Sequence, residues 1–404
     1  MAATPIEERP YRIALVLGGG GLKGFAHIGV LQALEDAGLR LAVLGGTSIG
    51  ALIAAAYASG MSTLQMAERA RAFRRRDLFR LNHVGMLLER MQSPSIYLAT
   101  GLRETVESIV PHRRFSEMKT PLMVCTVDVE RATQVVWGLP GMPDAYVDDA
   151  VYASCALPGF FPPGEVAGRR CIDGGTIDNL PVAFTPALGA DVVIAVDVGN
   201  GELPPGADIT ERGFASIYMR AATIMMNALQ LEQLGARESG PPVLLVRPRI
   251  SHISWFAFGR AEELMQAGYS ATREALADLA RAAAAPAGIF PRRLVRVNVL
   301  RERCVGCGTC VALAPRVMRM GGDGIAEPAG PQFVWSPADG GFVRHCPTNA
   351  IVADVAGGNG EFPARATEPI AVHTEPVGTH AQSRPLTEGA RRGPRIRRRT
   401  EGGR

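Results

Sequence analysis

The chain has 404 residues, 47% hydrophobic and 20% charged, with a formal net charge of +4. This is an ordinary globular composition, long enough for two or three domains. The positive charge is concentrated at one end: Gly389 to Arg404 holds seven Arg and one Glu, and the remaining residues carry a net −2. No basic nucleic-acid-binding face is therefore expected. The first residues lack a basic run followed by an apolar run and a cleavage site, so no secretory signal is expected either.

Tyr11 to Leu17, YRIALVL, is a short apolar run suited to a strand covered on both faces. It enters a glycine loop, Gly18 to Gly24. A helix follows from about Gly24 to Ala37, with Ile28, Leu31 and Leu34 on one face and Gly38 as its stop. A second strand, Leu41 to Leu44, turns sharply through Gly45 to Gly50 into an apolar helix that ends near Ser59. This order is the opening of an α/β protein with a largely parallel sheet. Leu41 to Gly60 is long and uncharged enough to span a membrane. Its interruptions by Gly, Ser and Thr, and its strand-like start, favour a buried core helix instead.

Two patterns in this opening carry chemistry. Gly46-Thr47-Ser48-Ile49-Gly50 spells G-x-S-x-G, the strand-to-helix elbow that turns a serine hydroxyl out at the C-terminal end of a sheet. The alternative is a glycine-rich turn arising by chance in a chain with 46 glycines. The glycine loop contains G-x-G-x-x-G at Gly19, Gly21 and Gly24. A dinucleotide site needs an acidic residue about twenty positions on, and Leu39-Arg40 stands there. Glycine amides at a helix N-terminus are better suited to holding a substrate oxyanion.

Residues from about Met61 to Arg114 read as mostly helical. Arg71, Arg74, Arg75, Arg76 and Arg80 form a basic cluster, read first as a solvated face and second as a contact with anionic lipid. Pro121 to Val129 and Gln134 to Trp137 read as adjacent strands. Ser154 to Pro163, SCALPGFFPP, is a bend too rich in proline for a regular element. Asp173 leaves a short strand into Gly174-Gly175, where its commonest role is to hydrogen-bond the turn. A strand at Asp191 to Val198 follows, then helices at about Phe214 to Leu234 and Ala261 to Ala284 around a strand at Val243 to Val246.

The motifs GGGGLKG, GTSIG, SCALPGFFPP and DGGTIDNLPV, in this order and spacing, resemble the patatin-like phospholipases, in particular their bacterial and neuropathy-target-esterase-like branch. The resemblance covers about Tyr11 to Leu276. It implies a three-layer α/β/α fold with a mostly parallel sheet and a Ser–Asp dyad: Ser48 as nucleophile and Asp173 as general base. It places an oxyanion hole at Gly19, Gly20 and Gly21. Lys23 would hold the loop's basic position, with Gly24, Gly46, Gly50, Gly174 and Gly175 as motif glycines. The implied substrates are phospholipids, lysophospholipids or other fatty acyl esters, and the hydrolysis needs no cofactor. A Ser-His-Asp triad requires a histidine after the acid, and His252 is the reasonable candidate, although a loop histidine beside aromatic packing is the simpler reading. His27 reads as a packing residue.

Ala282 to Arg293, AAAAPAGIFPRR, has the composition of a linker. Beyond it, Cys304, Cys307 and Cys310 form C-x2-C-x2-C, and Cys346-Pro347 completes four thiols. Three cysteines crowded in one loop with a remote Cys-Pro fit an iron–sulfur cluster better than zinc, which prefers two separated pairs. Two-cluster ferredoxins carry a fourth cysteine in the first run, four positions after the third; here Ala314 stands there, so one cluster is expected. The run Cys304 to Ile351 resembles single-cluster bacterial ferredoxins, a small α+β module. That resemblance implies [4Fe-4S] held by Cys304, Cys307, Cys310 and Cys346, with a three-cysteine [3Fe-4S] form left open.

The expected organisation is therefore an extension over 1–10, an acyl hydrolase over 11–281, a linker over 282–293, an iron–sulfur module over 294–356 and a disordered Arg-rich tail over 357–404. Reduced thiols favour the cytoplasm. Peripheral contact with an anionic inner membrane and a redox partner protein are further expectations, and an electron-transfer protein whose hydrolase-like part only binds lipid is the alternative function.

Overall fold

The computed structural model describes residues 11–81, 95–199, 214–235 and 239–355. Among them a nine-stranded sheet forms the centre, in the order β5-β6-β3-β2-β1-β7-β8-β9 with β4 also paired to β3. Its strands are β1 (Ile13–Leu17), β2 (Leu41–Thr47), β3 (Leu122–Asp128), β4 (Thr133–Trp137), β5 (Gly164–Val166), β6 (Arg169–Asp173), β7 (Val192–Val196), β8 (Val243–Val246) and β9 (Ile289–Phe290). The pairs from β3 through β2, β1, β7 and β8 to β9 are parallel, whereas β4, β5 and β6 form an antiparallel margin. A parallel centre must be covered on both faces, and all five residues of β1 are buried.

Alternation along β1 divides the core. Ile13, Leu15 and Leu17 face one layer, and the smaller Ala14 and Val16 face the other. The first layer is built by α1 (Ala26–Asp36), α2 (Ile49–Ala58), α3 (Thr63–Ala72), α4 (Ala99–Glu107), α5 (Val147–Cys155) and α7 (Ala261–Ala275). The second layer is the 3-10 turn Val182–Leu188 together with the end of α6 (Phe214–Gly235), through Leu234. The result is a three-layer α/β/α sandwich with a mostly parallel sheet.

Three sequence expectations shift. The proline-rich bend begins only at Ala156, because Ser154 and Cys155 close α5, a helix the proline pattern had concealed. The glycine loop is itself helical, a 3-10 turn over Gly21–Phe25 that runs into α1. The stretch with linker composition holds β9, whose Ile289 and Phe290 pair in parallel with Val243 and Leu244. The apolar helix after Ser48 is buried core, and no helix among the described residues is long and apolar enough to cross a membrane.

Beyond β9 the chain forms a smaller α+β unit with its own core. β10 (Arg293–Val299) pairs antiparallel with β13 (Phe333–Trp335) and β14 (Ile351–Val355), beside a hairpin of β11 (Met318–Met320) and β12 (Ala326–Pro328). Val295, Val297, Cys310, Met318, Trp335, Phe342 and Ile351 fill it. It is fastened to the main sheet by Arg247, which pairs with Asp197 at 3.0 Å and donates to the Pro337 carbonyl at 2.7 Å. Arg293 adds a 2.6 Å ion pair to Asp278. The expected tail lies outside the described residues.

Candidate active site and thiol cluster

Ser48 stands at the end of β2, ahead of the first turn of α2, with φ 54° and ψ −129°. A side chain at positive φ is strained, and such strain persists only where the surroundings impose it. They do so through two flanking glycines. A Cβ on Gly50 would lie 2.1 Å from the Leu17 carbonyl oxygen, and one on Gly46 would lie 2.5 Å from the same atom. The elbow therefore presses against the end of β1. The Ser48 amide donates to Ser154 Oγ at 2.8 Å, and Ser154 Oγ donates onward to the Cys125 carbonyl at 2.6 Å. This bridge from α5 and β3 to the elbow was not visible in sequence, where Ser154 is one serine in a proline-rich bend.

Asp173 ends β6, antiparallel to β3, and so arrives beside the elbow from the sheet's margin. It is 5% exposed. Its carboxylate accepts from the Gly175 amide at 2.8 Å, and Ser48 lines the same cavity beside it. Burial outweighs the opposing effects of the Ser48 hydroxyl and the Gly175 amide and raises its pKa from 3.8 to about 6. Gly174 lets this turn approach β3, since a Cβ there would meet the Cys125 carbonyl oxygen at 2.4 Å.

The glycine loop closes the third side. A Cβ at Gly19 would lie 3.0 Å from the Ser48 Cβ, and one at Gly24 would strike the Ile49 side chain at 2.3 Å. The Gly19 amide is committed to Asn179 Oδ1 at 3.0 Å, and Asn179 Nδ2 donates back to the Gly19 carbonyl at 3.2 Å. The amides of Gly20 and Gly21 have no acceptor among the described residues, as expected at the start of a helical turn. His27 does more than pack: its Nε2 lies 2.8 Å from the Gly18 carbonyl, and complete burial lowers its pKa to about 4, keeping the ring neutral. Lys23 turns away from the cavity. It is 2% exposed, and burial lowers its pKa to about 8 against the opposing pull of Asp197.

Ser48 and Asp173 open onto a cavity of about 120 Å³ between α2, α3 and α4. Its walls are mostly apolar: Ile49, Leu52, Ile53 and Ala56 from α2, Met66, Ala70 and Phe73 along α3, and Leu102 and Ile109 opposite, with Arg69 and Thr105 as the polar members. Phe161, Trp255 and Phe256 line the same cavity. No histidine among the described residues lines it; His252 is exposed and bonded to Glu263 at 3.0 Å.

The cysteines gather in the smaller unit. Cys304, Cys310 and Cys346 share its core, with Cys310 buried and Cys307 exposed. Burial raises the Cys310 pKa, with smaller contributions in the same direction from Cys304 and Cys307. Left-handed backbone at Gly306 and Gly308 curls that loop. Cys346 Sγ accepts from the Ala350 amide at 3.2 Å, the kind of contact that tunes a cluster. Among the described residues no three His, Cys, Asp or Glu side chains converge as a single-ion site requires. In a cubane each thiolate binds a different iron, so its ligands stand around a volume rather than a point.

Fold and site together define an α/β protein with a serine elbow set against a buried carboxylate and an apolar cavity. Residues 15–185 match the family described as patatin-like phospholipase. Residues 295–337 match a 4Fe-4S single cluster domain, a span that includes Cys304, Cys307 and Cys310 but stops before Cys346. Lysophospholipase nte1 of Emericella nidulans is 31% identical over 306 residues, 69% of this chain and 19% of that protein. An uncharacterized NTE family protein of Mycobacterium bovis is 34% identical over 197 residues, 49% of this chain and 52% of its own length. The chain thus spans between a fifth and about half of the length of these relatives. Among solved structures, VipD from Legionella pneumophila has a TM-score of 0.40 at 16% identity, covering 67% of each chain.

Proposed function

We propose that the protein is a serine lipid acyl hydrolase working through a Ser48–Asp173 dyad. The observation that carries this reading is a strained elbow serine beside a buried carboxylate of raised pKa, both opening onto one largely apolar cavity. Asp173 takes the Ser48 proton as the oxygen attacks an ester carbonyl. The free amides of Gly20 and Gly21 receive the developing negative charge, and one such donor is typically worth ~3 kcal/mol. Collapse expels the alcohol and leaves an acyl-Ser48, which water then hydrolyses with Asp173 again as base. The cavity between α2, α3 and α4 takes the acyl chain. Lysophospholipids, phospholipids and simple fatty acyl esters are the substrate classes, with a cytoplasmic site of action.

The smaller unit, about 294–356, follows the hydrolase domain at 11–281 and would hold one [4Fe-4S] cluster on Cys304, Cys307, Cys310 and Cys346. Such a group supplies one-electron redox chemistry when bound, with a partner protein as donor or acceptor. The ester hydrolysis does not draw on it.

A panel of lysophospholipids, phospholipids and acyl esters assayed with wild type, Ser48→Ala and Asp173→Asn tests the function. Fatty acid release by wild type alone supports it. Release that survives Ser48→Ala contradicts it.

A further inference from the structure

An amphipathic helix ordinarily buries its apolar stripe and wets its polar one. α6 does the reverse. Ile217, Ile224, Met225 and Leu229 are 45%, 55%, 58% and 38% exposed. With Ala221 and Ala228, also exposed, they make one continuous outward stripe about 18 Å long. No charged residue occurs between Arg220 and Glu232. The inward side carries the polar groups: Thr223 and Gln230 are 4% and 5% exposed.

Those inward groups are fastened to the site. Gln230 Oε1 accepts from Asn179 Nδ2 at 3.3 Å, on the residue that holds the glycine loop. Gln233 Nε2 donates to the Ile177 carbonyl at 3.0 Å, within the turn that follows Asp173. The outer stripe is continuous with the cavity mouth, because Tyr218 packs on Phe160 at 6.4 Å and Phe160 on Phe256 at 6.0 Å. Phe256 meets Phe79 at 5.2 Å, and Arg75 lies over the Phe79 ring at 5.6 Å. Arg74, Arg75 and Arg76 beside it are exposed.

We propose that this outer face of α6 seats the protein on a lipid surface, with the Arg74–Arg76 edge against anionic headgroups. The proposal rests on the hydrolase reading for its choice of occupant, since that substrate is an amphiphile held in an aggregate. A helix lying in the interface sinks its apolar face by roughly 5–10 Å, which brings the adjoining aromatic mouth to the lipid. A fatty acyl ester then passes from bilayer to cavity along Phe160 and Phe256 without crossing bulk water.

The test is flotation of the full chain with phosphatidylcholine vesicles, with and without phosphatidylglycerol, comparing wild type with an Ile224→Asp/Met225→Asp double variant. Both positions are exposed, so the variant should fold, and an unchanged melting curve checks this. Wild type should bind, more tightly to the anionic vesicles, and the variant should bind at least roughly ten-fold more weakly. Hydrolysis of vesicle-held substrate should fall with binding, while the rate on soluble p-nitrophenyl butyrate stays within about two-fold, because neither residue lines the cavity. Equal vesicle binding by the two proteins overturns the proposal. So does a wild-type dimer that ignores vesicles and is broken by the double substitution, which would make the stripe a contact between copies. Binding is read without turnover, so a wild type that floats but hydrolyses nothing contradicts the hydrolase function and not the face.

Discussion

Asp173 carries opposing demands, and their balance sets two pH dependences. As the proposed base it must be ionised, so acyl hydrolysis should rise as pH increases through about 6 and level off above it. As a buried acid whose pKa is raised on folding, it binds a proton in the native state between about pH 4 and 6 that the unfolded chain has already released. Its contribution to stability therefore declines over that window and stays unfavourable above it, by on the order of 3 kcal/mol. Asp173→Asn should lower kcat by roughly 10²–10⁴-fold. The same variant should melt no lower than wild type at pH 7.5 and lose the acid-side rise in activity. Wild-type-like turnover in Asp173→Asn at any pH would remove the carboxylate from the chemistry. The serine elbow at Ser48 and the turn at Asp173 could be read from G-x-S-x-G and D-G-G because each motif is local. Ser154, Asn179 and His27 could not be assigned, because their roles are hydrogen bonds to segments 9 to 160 residues away.

The elbow places its severest demand on packing. A methyl added at Gly50 would meet the Leu17 carbonyl oxygen at 2.1 Å, whereas one at Gly60 meets nothing within 4 Å, though φ is +93° there. Gly50→Ala should destabilise by about 3 kcal/mol or more through overpacking. Gly60→Ala should cost about 1 kcal/mol, from backbone strain alone. Urea midpoints of the two variants check the ranking, and equal midpoints would mean that β1 yields to the elbow. Strands β1, β3, β4 and β8 were legible because short β-branched runs between glycines and prolines leave few other readings. Helix α5 was masked by the prolines that follow it, and β9 by the alanines and prolines around it. For α6 the helix was legible, but hydropathy alone would turn Ile217, Ile224 and Leu229 inward. The buried amides of Asn179 and Gln230 decide otherwise.

The two units meet through few but directed contacts. Arg247 links Asp197, which follows β7 behind the glycine loop, to the Pro337 carbonyl of the smaller unit. Arg247→Ala should leave the smaller unit folded but less firmly attached, seen as faster amide exchange across β10 and β13 with little change in β1 and β2. Uniform exchange changes throughout the chain would instead mean that Arg247 supports the main core. The four-thiol proposal has its own readout: anaerobic reconstitution should give a brown protein bleached by dithionite. Cys346→Ser should diminish that absorbance, the more telling because Cys346 lies outside the matched 4Fe-4S span. A colour unaffected by that change would leave three cysteines as the ligand set. The C-x2-C-x2-C run announced the chemistry, but spacing alone does not fix how far the remote thiol stands from the other three.

Ser48 is proposed as a nucleophile activated by Asp173, and covalent capture reports on that role without a substrate panel. Incubation with a fluorophosphonate followed by intact-mass measurement should add one phosphonyl group to wild type, located on Ser48 by peptide mapping. Ser48→Ala should take up none, and Asp173→Asn should react far more slowly. Full labelling of Ser48→Ala, or a modified residue other than Ser48 in wild type, would contradict the account.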